Sequence, residues 1–293
     1  MPMRSEQRAI GTCQTPTGPH RRGVSETALL ACLAWERLFP TRGVPILCYH
    51  DVGDGGALTT VSAAAFRRQM ELLTSWGFAV LSLGDLIGLL AGRHRLRRRQ
   101  VVLTFDDGYS SVHREAAAIL LDLGFTASVF LPIGNVGRRP EWDTGSPGAN
   151  ERLLSWSQVM ELAESGISFY PHGLTHRRLT RLPDDELHRE LRASREELSA
   201  QLGSPATVFC YPYGDCDARV QKAVRSAGYE GACGTTVGVN RPGTDRWNLR
   251  RMLVLRTTDS RGFRARVTGA FRHYERLRRR VRGGLDGRSD NGG

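Results

Sequence analysis

An α/β barrel of about seven parallel strands with crossover helices is the fold class this sequence predicts, and three observations predict it. Apolar strand-like runs alternate with amphipathic helix-like runs from residue 44 to about residue 257, the order expected of a parallel sheet joined by helices. The count of strand runs, together with the lack of a nucleotide-binding glycine pattern, favours a closed ring over an open doubly wound sheet. The unusual polar residues fall just after strands, at the carboxyl ends where barrel chemistry sits.

Residues 1–43 read as a leader, disordered over 1–26 where Thr, Gly, Pro and Arg mix without periodicity. Within it "ALLACLAW" (28–35) predicts a short amphipathic helix, too short to span a bilayer. "VPILCYH" (44–50) is the first strand. A helix at 62–77 has Ser62 as its N-cap, Phe66, Met70 and Leu73 on one stripe, and Gly77 as its stop. "QVVLTF" (100–105) is a strand, followed by a helix near 111–123 and a strand at 126–133. A helix at 155–166 opens with Ser155 and Gln158 in capping-box spacing. Then come a strand at 167–170, a long charged helix over 183–202, a strand at 207–212, a helix at 217–227 and a strand at 252–257. The domain spans 44–260, and 261–293 is expected to form a basic helix and tail.

With 293 residues and 40% apolar composition, one sizeable core is within reach. The net charge is +11, and the segment 261–293 concentrates it, with ten arginines against three acids. "RHRLRRR" (93–99) is a second basic cluster. Such clusters suggest an anionic partner, whether an anionic membrane surface, an acidic glycan or nucleic acid, beside the plain reading of a solvated face. No nucleic-acid motif accompanies them. The six cysteines form no CxxC pair, which excludes a cysteine zinc site and argues against a disulfide framework. The expectation is a cytoplasmic protein, peripheral to the inner membrane.

Three segments carry candidate chemistry: Asp106-Asp107-Gly108 after one strand, "YPHGLTH" with His172 and His176 after another, and "CYPYGD" (210–215) after a third. Adjacent carboxylates repel, unless one holds a cation and the other moves protons. Two imidazoles four residues apart plus one carboxylate make a three-ligand metal site with open positions. Such a centre lowers the pKa of water towards about 7.

"LTFDDGY", "HGLTH" and "FCYPYG", in that order, resemble the NodB-like polysaccharide deacetylases, carbohydrate esterase family four, over about residues 44–257. "PILCYHDV" and "FCYPYG" are most similar to the branch that deacetylates poly-N-acetylglucosamine. The resemblance implies a distorted (β/α) barrel and a metal-dependent hydrolase that releases acetate from N-acetylated glycans. It implies Asp106 as general base, Asp107, His172 and His176 as ligands of a divalent metal, most simply zinc, and the Tyr213 backbone N–H as oxyanion donor. The family's usual Ser or Thr after the first histidine is here Gly173, and its third-motif arginine is replaced by Cys210. "RMLV" (251–254) resembles a segment where this branch carries a substitute, so Arg251 is the candidate, with Arg250 as the spare. The late Leu-x-His motif is absent. In this branch the barrel is circularly permuted, which makes His50 the candidate general acid. Tyr109, Trp142, Trp156, Tyr170 and Tyr211 are candidates for sugar contact. Two other readings stay open: a catalytically weak glycan-binding homologue, and a hydrolase of another amide or ester.

Overall fold

The computed structural model describes residues 26–38, 42–143 and 151–286. Helix α1 (Glu26–Leu38) precedes strand β1 (Ile46–Tyr49), and two short strands, β2 (Asp51–Val52) and β3 (Thr60–Val61), pair in the loop beyond it. There follow α2 (Ala63–Ser75), β4 (Ala79–Leu81), α3 (Leu83–Leu90), β5 (Gln100–Phe105), a π-helical turn (Val112–Ala116) leading into α4 (Ala117–Asp122), and β6 (Ser128–Leu131). The second half contains α5 (Trp156–Glu164), β7 (Ser168–Pro171), α6 (Asp184–Leu202), β8 (Val208–Cys210), α7 (Ala218–Ser226), β9 (Gly231–Cys233), β10 (Met252–Leu253), α8 (Ser260–Thr268) and α9 (Phe271–Asp286).

The parallel ladder runs β10-β1-β5-β6-β7. Strand β4 pairs with the first half of β5, and β6 with its last two residues, so both share one edge of it. Strands β8 and β9 pair with each other, β8 lies beside β7, and a bridge from Cys233 to Leu249 leads back towards β10. The ring is thus an α/β barrel whose ladder is interrupted on either side of the β8–β9 pair, which is its distortion. The last strand lies against the first, with Leu47 opposite Met252.

Local chemistry explains most element ends. The Ser62 side chain accepts from the Ala65 N–H at the start of α2, and Ser155 and Gln158 form the reciprocal capping box of α5. Helix α6 ends at Gly203, in the left-handed conformation at φ 64. All six residues of β5 are buried, the reading expected of a central parallel strand.

Strands β4 and β9 and helix α3 were not legible. Residues 231–233 read Gly-Ala-Cys, with no β-branched residue, and β9 exists because β8 supplies its pairing. The basic helix expected within 261–293 is instead two helices, broken at Gly269 with φ 85. Helix α8 belongs to the barrel: Phe263, Ala265 and Val267 are buried, and the buried Arg266 donates from Nε to the Leu253 carbonyl at 2.7 Å. A boundary at residue 260 therefore cuts the head of a core helix. Helices α1, α8 and α9 pack together, and Arg261 pairs with Glu26 across them. The expected disordered stretch falls on residues outside those described, except for Glu26, which begins α1. Among the described residues the cysteines are free, and no helix is long and apolar enough to cross a membrane.

Candidate active site

Strand alternation alone would send Asp106 and Asp107 in opposite directions. The chain leaves the extended conformation at once: Asp107 has φ 68 and Gly108 has φ 69. A Cβ on Gly108 would overlap Leu131 Cδ2, so glycine is required there by space as well as by φ. Among the described residues four non-glycines have positive φ, and three of them, Asp107, His176 and Tyr213, lie at this site. Each such conformation costs about 1–2 kcal/mol, and clustering of this kind marks functional sites.

Asp107, His172 and His176 converge. Asp107 Oδ1 lies 3.6 Å from His172 Nε2 and 3.2 Å from His176 Nε2, and all three residues are buried. One ligand atom from each lies within 4.8 Å of the others. His172 Nδ1–H donates to the Cys210 carbonyl at 2.8 Å, which turns Nε2 towards Asp107. Burial, and then His176 beside it, push the His172 pKa down to about 4, so its ring is neutral near pH 7, as a ligand must be. Burial is the largest single influence and works to raise the Asp107 carboxyl, but the His176 hydrogen bond together with the nearby His176, His50 and His172 rings outweighs it and leaves the group below the usual carboxylate range. His176 Nδ1 is a buried atom without a hydrogen-bond partner in the protein. Two imidazoles and one carboxylate at this spacing fit a divalent cation.

Asp106 sits on the other side of the turn. Its backbone N–H donates to the Tyr49 carbonyl at 2.9 Å. Arg251 Nη1 and Nη2 donate to its two oxygens at 2.6 and 2.7 Å, and Arg251 Nε donates to the Gly234 carbonyl at 2.8 Å. Burial would raise the Asp106 pKa, but the Arg251 guanidinium, with His172 and His50 beside it, more than offsets this and holds the carboxyl well below its ordinary range. Arg250 is exposed and makes no such contact. His50, immediately after β1, is half-buried, and one ring nitrogen lies within 4.8 Å of the Asp106 carboxylate. Its Nδ1 is buried without a hydrogen-bond partner.

Tyr213 follows β8 in a 3-10 turn, and its ring lies 4.6 Å from the His176 ring. Trp142 stacks on His176 at 4.1 Å and lines an open cleft of about 660 Å³ beside the triad. The other aromatic candidates do not line that cleft. Tyr211 is fully buried, packs on Phe209 at 5.6 Å and donates its hydroxyl to the Trp247 carbonyl. Tyr170 shares the strand face of His172 but packs with its ring tilted against Phe130, one layer deeper in the barrel. Tyr109 is buried beside the Asp106–Gly108 turn, and Trp156 packs against the core.

One residue escaped sequence reasoning. The buried Glu190 of α6 accepts from the Leu174 and Thr175 N–H groups at 2.7 and 3.0 Å and from the Thr175 hydroxyl. It braces the loop between the two histidines, while a Cβ on Gly173 would stand 3.1 Å from its Oε2. The signal was present: Glu190 lies on the buried stripe of Leu187, Leu191, Ser194 and Leu198, where a charge is out of place. Glu190→Ala is expected to cost about 1–3 kcal/mol of stability and to weaken metal binding about tenfold or more. Chemical denaturation and metal titration check this, and unchanged values in both would remove Glu190 from the site.

The family model for polysaccharide deacetylase matches residues 93–232. The chain is 25% identical over 221 residues, 75% of each sequence, to the deacetylase-family protein YxkH of Bacillus subtilis (strain 168). It is 30% identical over 139 residues to poly-beta-1,6-N-acetyl-D-glucosamine N-deacetylase of Escherichia coli (strain K12), spanning 20% of that protein's length. The solved structure of IcaB from Ammonifex degensii superposes with a TM-score of 0.69 at 27% identity, over 78% of this chain and 98% of that one. Residues 93–232 thus carry a polysaccharide deacetylase domain, and the barrel that contains it is similar to that of IcaB.

Proposed function

We propose that the protein removes N-acetyl groups from amino sugars of a polysaccharide or glycoconjugate, releasing acetate and leaving a free amine. The observation that carries this is the meeting of Asp107, His172 and His176 at one point, with the Arg251-held Asp106 and His50 beside them. Asp107, His172 and His176 would hold a divalent cation, and zinc suits their donors best. Such an ion, when bound, would polarise the N-acetyl carbonyl and acidify the attacking water. The Asp106 carboxylate accepts the proton that the attacking water loses. The Tyr213 backbone N–H donates to the carbonyl oxygen as negative charge develops there. His50 gives a proton to the amine nitrogen as the C–N bond breaks. Trp142 offers an aromatic face for the sugar beside His176.

Purified protein is expected to release acetate from N-acetylglucosamine oligomers, to lose that activity with a chelator and to regain it with added zinc. Elemental analysis identifies the metal carried. Binding without acetate release would favour the glycan-binding reading, and release from other amides or esters but not from glycans would favour the broader hydrolase.

A second surface supports docking on anionic lipid. At the end of the barrel where β5 begins, Arg37, Arg42, Arg97, Arg98, Arg99 and Arg264 line a cleft of about 1160 Å³. Trp35 and Leu38 of α1 are exposed next to it, 55% and 73% respectively. Basic charge beside apolar anchors suits an anionic bilayer. The wild type is expected to float with vesicles containing anionic lipid, and an Arg97→Glu, Arg98→Glu, Trp35→Ala variant to stay behind. Equal flotation defeats the docking reading.

A further inference from the structure

The cleft beside the metal-ligand triad has an uneven charge. Four arginines line it, Arg138, Arg177, Arg178 and Arg181, against one acid, Glu141. They come from two separate loops, Arg138 after β6 and the other three between His176 and α6. Arg177 pairs with Glu186 of α6. The Arg178 guanidinium lies 4.3 Å over the Tyr213 ring, itself 4.6 Å from the His176 ring. A fixed cation is therefore two ring contacts from a member of the triad. Arg138 and Arg181 are exposed along the same cleft.

A neutral sugar makes no demand for such a lining, since aromatic faces and neutral hydrogen-bonding groups hold it. Guanidinium groups around a shared space repel one another, and their forked donors match phosphate and carboxylate oxygens. A concave surface of one sign also concentrates ligands of the opposite sign. We propose that the glycan cut at this site carries an anionic group, a phosphate or a carboxylate, near the N-acetylated sugar, and that Arg138, Arg178 and Arg181 receive it. This inference rests on the deacetylase reading and narrows its substrate class.

The test uses three N-acetylglucosamine oligosaccharides of equal length: one neutral, one with a neighbouring uronate and one with a phosphodiester. kcat/KM for acetate release is measured on each, and binding of each to zinc-loaded Asp106→Asn protein is measured by calorimetry. One charged oligosaccharide is expected to be preferred by about tenfold at low salt, and which one identifies the group. That ratio should fall towards one at about 0.5 M salt, and in the Arg138→Gln, Arg181→Gln double variant. A merely structural role for these arginines would lower all three substrates together and leave the ratio intact. Equal values for the three, or a preference that survives in the double variant, overturns the proposal. No acetate from any of them would count against the deacetylase reading instead, and the binding series would still decide the question of charge.

Discussion

Replacing Asp106 by asparagine is expected to reduce acetate release by about 10³-fold while metal content stays near that of the wild type. The two carboxylates of the β5 turn are adjacent in sequence but face different partners. Asp107 stands 3.2–3.6 Å from the two histidine Nε2 atoms, whereas Asp106 is gripped by Arg251. An amide at 106 keeps the shape and the acceptor oxygen but cannot take a proton. Asp107→Asn should behave differently, losing metal and activity together. Acetate assays paired with elemental analysis separate the two variants. An Asp106→Asn protein that keeps a tenth or more of its activity would show that the proton goes elsewhere.

Arg251→Met is expected to cost about 3–5 kcal/mol of stability and to abolish turnover. Both members of the Asp106–Arg251 pair are buried, and removing the guanidinium leaves a carboxylate with neither water nor a full set of donors. Cys48 Sγ, 3.5 Å from Asp106 Oδ2, is a weak substitute. Arg251→Lys keeps the charge but cannot make the two parallel bonds, nor reach Gly234 at the same time, so it should fall between the two. Because Asp106 is held below its unfolded value, the pair contributes fully above about pH 4 and fades as acid protonates the carboxylate. The difference between wild type and Arg251→Met should therefore shrink on acidification. Urea denaturation at neutral and acid pH measures it. A variant within about 1 kcal/mol of wild type that still turns over would assign the orientation of Asp106 to another group.

The parts of this molecule that could be read from sequence share a cause. Helix α2 and helix α5 declare themselves through serine caps and apolar stripes, and β5 through an unbroken apolar run. Asp106, Asp107, His172 and His176 stand out because each is polar where a buried strand has just ended. The choice of Arg251 over Arg250 rested on resemblance, and only the fold distinguishes the buried fork from its exposed neighbour. Strand β9 was hidden because its three small residues carry no pattern of their own. The break at Gly269 was hidden inside a segment whose arginines read as one solvated helix, although Phe263 and Val267 were already the core-facing residues of α8. The arginine-lined cleft was illegible because Arg138 and Arg181 are far apart in sequence and meet only across the mouth of the barrel.

The contact between the first and last strands also constrains synthesis. Leu47 emerges early from the ribosome and has to wait for Met252 before its ladder is filled on that side. A growing chain holds Asp107, His172 and His176 well before it holds Arg251. Chains released early, or clipped ahead of that arginine, lack the strand that covers β1 and the core residues of α8, and leave Asp106 without its guanidinium. The steering of a single carboxylate thus waits on the last strand to be made.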